Sequence, residues 1–391
     1  MSGASGPDEP AGRPLRLAFL ADAGSIHTRR WLAFFAERGH HVVLLVPEGE
    51  PAPAALPAAV SLLPYRGYGG RLRPRGAVLA RRSLRRRLRE LAPDVLHAHY
   101  LPRFGWLGWL SGVHPLVVTV WGSDAFLIDR ASPIVRWLAR RTLAAADLVT
   151  AVSAGLGRAA VAAGAPAERV RLVQFGVDGA VFAPGPAPAA LRAELGLDGR
   201  RVVFAPRAVR PIYRQEVVLE ALAVLPADVA LLLTTHNADP ATLEALLARA
   251  DRLGVRDRVR LVGELAHPAM ADHYRLADVV VSVPESDAFP VTALEAMACG
   301  RPLVLADLAT AHEALAEVGA AARAAIRTVP VGDAGATAGA IADLLALEPA
   351  ARDAAAPALR EAALARGDVR ANLLRMEAYY RALAEGRPPG R

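Results

Sequence analysis

Two acids, Asp287 and Glu295, stand eight residues apart in the stretch DAFPVTALEAMACGRPLV, residues 287–304. Pro290 excludes a helix that begins well before it, so the pattern predicts a loop followed by a helix from about Val291 or Thr292. Asp287 would then face the helix start and Glu295 would lie about a turn inside. The backbone N–H groups of Ala288, Phe289, Val291 and Thr292 would lie between them, around Pro290. Unpaired N–H groups at a helix start attract phosphate, and carboxylates beside them accept hydrogen bonds from hydroxyls. Together these chemistries suit a sugar nucleotide. A single acid at a helix start is also a common cap, so the spacing alone leaves both readings open.

Other groups recur where apolar runs end. LRLAFLA, 15–21, stops at a turn containing Gly24, and His27 opens the helical pattern that follows. PDVLHAHY presents His97 and His99 two residues apart, hence on one face of an extended strand. No third ligand at zinc spacing accompanies them, so a metal is not expected. LVVTV runs into Trp121, Ser123 and Asp124, and RVVFA runs into Arg207, Arg210 and Arg214. Open parallel sheets bind ligands outside the carboxyl ends of their strands, where all these residues fall. For several of them a cap or a solvated surface position is the plainer alternative.

The elements that must position them alternate between strand-length and helix-length patterns throughout, which predicts parallel sheets with right-handed crossovers. A chain of 391 residues with 53% hydrophobic content implies two domains. Residues 1–14, polar and rich in Pro and Gly, are expected to form a disordered leader of a cytoplasmic protein. Residues 15–184 form a first domain, the Pro/Ala-rich stretch 184–193 opens a linker, and 185–366 form a second domain. Segment 367–391 is a last helix returning to the first domain, with EGRPPGR as a loose tail. No apolar run is long enough to span a membrane. The lone cysteine, Cys299, excludes an intrachain disulfide and reads as a packing residue.

The chain contains no lysine, and its formal charge is +7. No lysine can therefore act as phosphate ligand, base or Schiff-base former, while the excess charge favours anionic partners. Nine arginines lie between Arg71 and Arg89, on a pattern that predicts an amphipathic helix with a basic face. That face is either a solvated surface or a peripheral contact with an anionic membrane at its inner face. No aromatics interleave these arginines, so nucleic acid is not the expected partner.

LEAMACG, 294–300, with the acid-seven-acid spacing before it, resembles the signature EGFGxPxLEAMACG of retaining glycosyltransferases of family 4, which have the GT-B fold. The HxH pair, WGSD at 121–124 and the run from Asp147 to the GVD turn ending at Asp178 are similar to further motifs of that family. Asp287 stands where Glu is usual, Pro290 comes early, and Ile212 and Tyr213 occupy the region where the family carries a lysine. The resemblance implies two Rossmann-like domains with a cleft between them. It implies a metal-independent hexosyltransferase, with a nucleotide-diphosphate sugar as donor and a glycan, lipid-linked or small-molecule acceptor. By the same resemblance Glu295 would hold the donor ribose and Asp287 the sugar hydroxyls, with the backbone from Ala288 to Thr292 on the distal phosphate. Arg207, helped by Arg210 or Arg214, would offset the departing diphosphate, and His99 would lie near the transferred sugar. Gly24, His27, Trp121, Ser123 and Asp124 would line the acceptor side of the cleft. A non-catalytic sugar-nucleotide-binding or partner protein and a nucleotide-sugar epimerase are the alternatives.

Overall fold

The computed structural model describes residues 12–49, 56–66, 74–126, 128–265, 267–288 and 291–390. Phe289 and Pro290 lie outside the described residues, as do Arg71 and Arg73 of the basic segment and most of the expected leader. The chain divides into two compact units. One comprises the residues up to Gln174 together with those from Ala371 on, and the other comprises Phe175–Arg370. The Pro/Ala-rich stretch 184–193 thus lies inside the second unit.

The first unit is built on a seven-stranded parallel sheet: β1 (Arg16–Leu20), β2 (His41–Pro47), β3 (Val60–Tyr65), β4 (Val95–His99), β5 (Leu116–Val120), β6 (Leu148–Ala151) and β7 (Val170–Leu172). Their order is β3-β2-β1-β4-β5-β6-β7. The second holds six: β8 (Arg201–Ala205), β9 (Val229–Thr234), β10 (Val259–Val262), β11 (Val279–Ser282), β12 (Leu303–Ala306) and β13 (Ile326–Val329), ordered β10-β9-β8-β11-β12-β13. The central strands β5, β9 and β11 are buried along their whole length. A parallel sheet covered by helices on both faces demands such unbroken apolar runs.

Each order reverses direction once, between β1 and β4 and again between β8 and β11. These are the switch points at which diverging crossovers leave a crevice. Gly24 and His27 follow β1, His99 ends β4, Arg207 follows β8 and Asp287 follows β11. The topology therefore gathers the chemistry-bearing residues at one place in each unit.

The helix Val369–Ala384 packs into the first unit through polar contacts as well as apolar ones. Its Glu377 accepts from Arg38 Nε at 2.5 Å and lies 3.3 Å from His40. The residues after it do not form the loose tail expected from EGRPPGR. Arg171 donates to the Pro389 carbonyl at 2.8 Å and to that of Gly390 at 2.7 Å. The guanidinium thus satisfies two carbonyls that a free tail would leave to water.

Candidate active site

At the switch point of the first unit, His97 and His99 share a strand face as their spacing predicts, with ring centroids 4.4 Å apart. Their surroundings differ. His97 contacts the Tyr380 hydroxyl through Nδ1 at 2.5 Å and Thr119 Oγ1 through Nε2 at 2.6 Å. Thr119 passes the chain on to Thr150 at 2.6 Å. Both nitrogens of His97 are thus occupied, and it fastens the last helix to the middle of the sheet. His99 is enclosed by aromatic rings instead, with Trp31 at 4.9 Å, Trp121 at 5.8 Å and Phe19 at 5.8 Å. Among the described residues neither of its ring nitrogens has a hydrogen-bond partner. Burial, with nearby His27 adding to it, lowers its pKa to about 3. A neutral imidazole offers one N–H donor and one acceptor, the combination that a hydroxyl group completes.

His27 and Trp121 lie edge to face at 5.9 Å, which brings three expected residues into one cluster. Asp124 has a different office. Its carboxylate accepts from the backbone N–H groups of Gly122 at 2.7 Å, Trp121 at 2.9 Å and Leu101 at 3.0 Å, tying the turn after β5 to the chain after β4. Burial raises its pKa against the pull of those donors. Asp124 therefore shapes the loop that carries Trp121. Gly24 sits in a turn closed by its N–H on Asp22 Oδ1 at 2.9 Å. Ser123 opens a short helix, Ser123–Phe126, and its side chain lies outside the described residues.

The buried histidines carry a stability consequence. In the unfolded chain both titrate near 6.5, whereas burial holds His97 well below that and His99 at about 3. Above pH 6.5 both states carry them neutral; below it the unfolded chain binds protons that the folded chain refuses. Stability is therefore full above pH 6.5 and falls as pH drops, by about 1.4 kcal/mol per pH unit for each histidine that stays neutral. Urea midpoints at pH 7.5 and pH 5 should differ accordingly, and equal midpoints would contradict the buried, neutral pair.

In the second unit, Arg207 Nη2 lies 3.0 Å from Asp287 Oδ2, with both side chains more than four-fifths buried. The guanidinium carbon stands 4.1 Å from the centre of the Tyr213 ring, so Arg207 is held between a carboxylate and an aromatic face. Buried Gln215 donates to the Arg207 carbonyl at 2.7 Å, Glu285 N donates to Ile212 O at 2.9 Å, and Thr310 Oγ1 donates to Asp287 O at 2.8 Å. These bonds hold the two loops in register. Arg214 is paired with Glu216 at 2.9 Å and Glu285 at 3.7 Å, and Arg210 Nε donates to Asn237 O at 2.7 Å. The side chain from this loop that stands against Arg207 is therefore Tyr213.

The helix predicted after Pro290 runs from Val291 to Ala298. Ala288, just before it, is buried, and Glu295 is only 7% exposed. The Tyr274 hydroxyl donates to Glu295 Oε2 at 2.8 Å, and burial together with that carboxylate pushes the phenol well above its ordinary pKa. Among the described residues the buried Thr292 hydroxyl has no partner. Ala293, Ala296 and Met297 pack with Ala355, Leu359 and Ala363 of the helix Pro349–Gly367, which accounts for the small side chains of the motif. Cys299 is buried in the same cluster, its thiol pushed up to about 12 by burial. No spacing signal marks Tyr274 and Tyr380 in the sequence, and Tyr213 enters there only as standing in the region of the family's lysine, because an isolated tyrosine carries no pattern of its own.

Two doubly wound parallel sheets in one chain, each with polar side chains at its switch point, are the GT-B architecture of glycosyltransferases. The chain belongs to glycosyltransferase family 4. Residues 24–181 match the model described as Glycosyltransferase Family 4, and residues 199–347 match Glycosyl transferases group 1. It is 34% identical over 233 residues to a D-inositol 3-phosphate glycosyltransferase of Xylanimonas cellulosilytica, a match covering 54% of this chain and 55% of that protein. The chain thus spans about half the length of that relative. Among solved structures, sucrose-phosphate synthase from Thermosynechococcus elongatus superposes with a TM-score of 0.78 at 22% identity, over 95% of this chain and 99% of the other. Anabaena Alr3699/HepE in complex with UDP-glucose does so with a TM-score of 0.76 at 20% identity, over 94% of this chain and 100% of the other.

Proposed function

We propose that the protein transfers a hexose, with retention of anomeric configuration, from a nucleotide-diphosphate sugar to a glycan, lipid-linked or small-molecule acceptor. The observation that carries this reading is the Arg207–Asp287 pair beside the helix start that leads to Glu295. It supports the reading because a guanidinium, a carboxylate and a helix start, the groups a sugar nucleotide would use, occur together in one loop pair. Relatives named as glycosyltransferases and a structural neighbour solved with UDP-glucose support the same donor class. In this scheme Glu295, oriented by Tyr274, accepts from the donor ribose. Asp287 accepts from hydroxyls of the sugar. Backbone N–H groups from Ala288 to Thr292 meet the distal phosphate, and Arg207 offsets the charge that develops as the sugar–phosphate bond breaks. Arg210 and Arg214 would join it only on leaving the partners they now have. The acceptor oxygen bonds to the anomeric carbon on the face the phosphate leaves, and its proton passes to a leaving phosphate oxygen. The scheme assigns His99, whose ring nitrogens are buried with no hydrogen-bond partner among the described residues, to a hydroxyl of the transferred sugar. His27, Trp121 and the turn held by Asp124 shape the acceptor side. Arginine and the helix start supply the positive charge, so the scheme draws on no metal.

Incubation with a panel of nucleotide sugars should release free nucleotide from one of them. Asp287→Asn and Glu295→Gln should each lower that rate by about 100-fold, the scale of losing one aimed polar group. A second reading, a non-catalytic sugar-nucleotide binder, draws on the shorter acid at 287 and the absence of a basic side chain at 212 and 213. Binding without release of nucleotide from any donor, unchanged in both variants, would select it; interconversion of the donor sugar would select an epimerase. We place the activity in the cytoplasm, where nucleotide sugars are at hand, with peripheral contact to anionic lipid through segment 71–89. Among the described residues no helix is long and apolar enough to cross a membrane.

A further inference from the structure

The basic segment does not act alone. Right-handed crossovers that progress in one direction from β3 through β4 and β5 to β6 place their helices on one face of the sheet. These helices are Pro74–Leu91, Trp106–Ser111 and Pro133–Ala145. The short middle helix joins the outer two. Arg81 Nε donates to its Leu110 carbonyl at 3.1 Å, and its Trp109 meets Trp137 edge to face at 5.8 Å. The two outer helices carry ten arginines and one acid, Glu90. Their net charge of ten arginines less one acid exceeds the +7 of the whole chain, so the rest of the protein sums to slightly negative and the excess positive charge is carried by these helices.

The same face exposes large apolar side chains. Val78 is 51% exposed, Ile134 61% and Trp137 47%, beside the exposed Arg82, Arg89 and Arg141. Arg141 lies 5.6 Å from the centre of the Trp137 ring. On the helix Pro74–Leu91 the buried stripe is Ala80, Leu84 and Leu88, and Val78, Arg82 and Arg89 lie on the opposite side. Guanidinium groups interspersed with tryptophan and aliphatic tips suit a surface that is anionic at the headgroups and apolar just beneath. Single-stranded nucleic acid would use the arginines and the tryptophan but gain little from Ile134 or Val78.

We propose that the face formed by helices Pro74–Leu91, Trp106–Ser111 and Pro133–Ala145 docks the protein on an anionic lipid bilayer, with Trp137 and Ile134 entering the headgroup boundary and the flanking arginines meeting lipid phosphates. This deepens the contact proposed for segment 71–89 by adding an apolar anchor from a helix distant in sequence. It stands apart from the transfer chemistry, and the test keeps the two separate. The full chain is sedimented with phosphatidylcholine vesicles alone and with vesicles containing about 30 mol % phosphatidylglycerol. Partition onto the anionic vesicles should be at least tenfold greater and should fall as salt is raised. Arg82→Ala with Arg89→Ala should reduce it by about 25-fold, from roughly 1 kcal/mol per arginine at a charged surface. Ile134→Ser with Trp137→Ser should reduce it about tenfold and remove part of the blue shift of tryptophan emission on binding. Far-UV circular dichroism and the urea midpoint serve as the fold control and should be unchanged in both double variants. Equal partition onto both vesicle types would overturn the proposal, as would full binding by the Ile134/Trp137 variant. Displacement of the protein from vesicles by single-stranded RNA, with RNA binding lost in both double variants, would assign the face to nucleic acid instead.

Discussion

Arg207→Ala should lower kcat/KM for donor turnover by about a thousandfold, the upper range for loss of one preorganised charge stabiliser. Arg207 is the guanidinium paired with Asp287, at 3.0 Å, and held against the Tyr213 ring at 4.1 Å. Arg214 is engaged with two glutamates and Arg210 with a carbonyl, so neither is poised to replace it without losing those contacts. Arg207→Lys should recover only part of the loss, because an ammonium reproduces the charge but not the planar fork that meets a carboxylate or phosphate bidentately. On the proposed function, Tyr213 would act through Arg207 as a positioning residue. Tyr213→Ala should therefore lower kcat about tenfold to a hundredfold by freeing the guanidinium, a misplacement effect of familiar size. Tyr213→Phe keeps the ring face and should restore nearly full turnover. Steady-state release of nucleotide checks the series. An alanine variant at 213 as active as the parent would remove the clamp from the account. Equal activity of Arg207→Ala and the parent would remove Arg207 from the site.

A comparably large effect on stability is expected from Gly176→Ala. Gly176 has φ +75°, and a Cβ there would stand 2.7 Å from the Gly367 carbonyl oxygen, 2.7 Å from Val369 Cα and 2.8 Å from Val369 N. All three are backbone atoms, which cannot rotate away as a side chain would. They belong to the segment where Val177 N donates to Gly367 O at 2.6 Å and Val369 N donates to Val177 O at 3.1 Å. A methyl group would both occupy a left-handed backbone and separate these two backbone segments. The expected cost is about 3 kcal/mol or more, from roughly 1 kcal/mol or more of backbone strain added to 1–3 kcal/mol of overpacking. Gly199→Ala is the matched control. Its φ is +67° with nothing within 4 Å of the added Cβ, so it should cost only the backbone part, about 1 kcal/mol. Urea midpoints of the two variants decide the matter. Equal destabilisation would show that the close approach at Gly176 yields readily.

The legible parts of the site are those whose information is local. Asp287, Glu295 and the helix start between them are read from one stretch, because Pro290 limits where a helix can begin and helical spacing then dictates where Glu295 falls. The His97 and His99 pairing is read from strand alternation, which holds whatever the sheet packs against. Even so, alternation could not tell the two histidines apart. One is occupied by Tyr380, nearly three hundred residues away, and the other is left among aromatic rings with no partner among the described residues.

By itself the sequence determined two parallel α/β units, the ends of the strands that carry polar residues, and a family signature at 294–300. These follow from apolar runs and turns, which act over a few residues. Only the tertiary structure decided which charges are already engaged: Arg214 with Glu216 and Glu285, Asp124 with three backbone amides, Arg171 with the last carbonyls. It also decided that the basic helix shares its face with Trp137 and Ile134. Such pairings depend on which crossovers lie side by side, and that follows from the handedness and order of the whole sheet, not from any one segment.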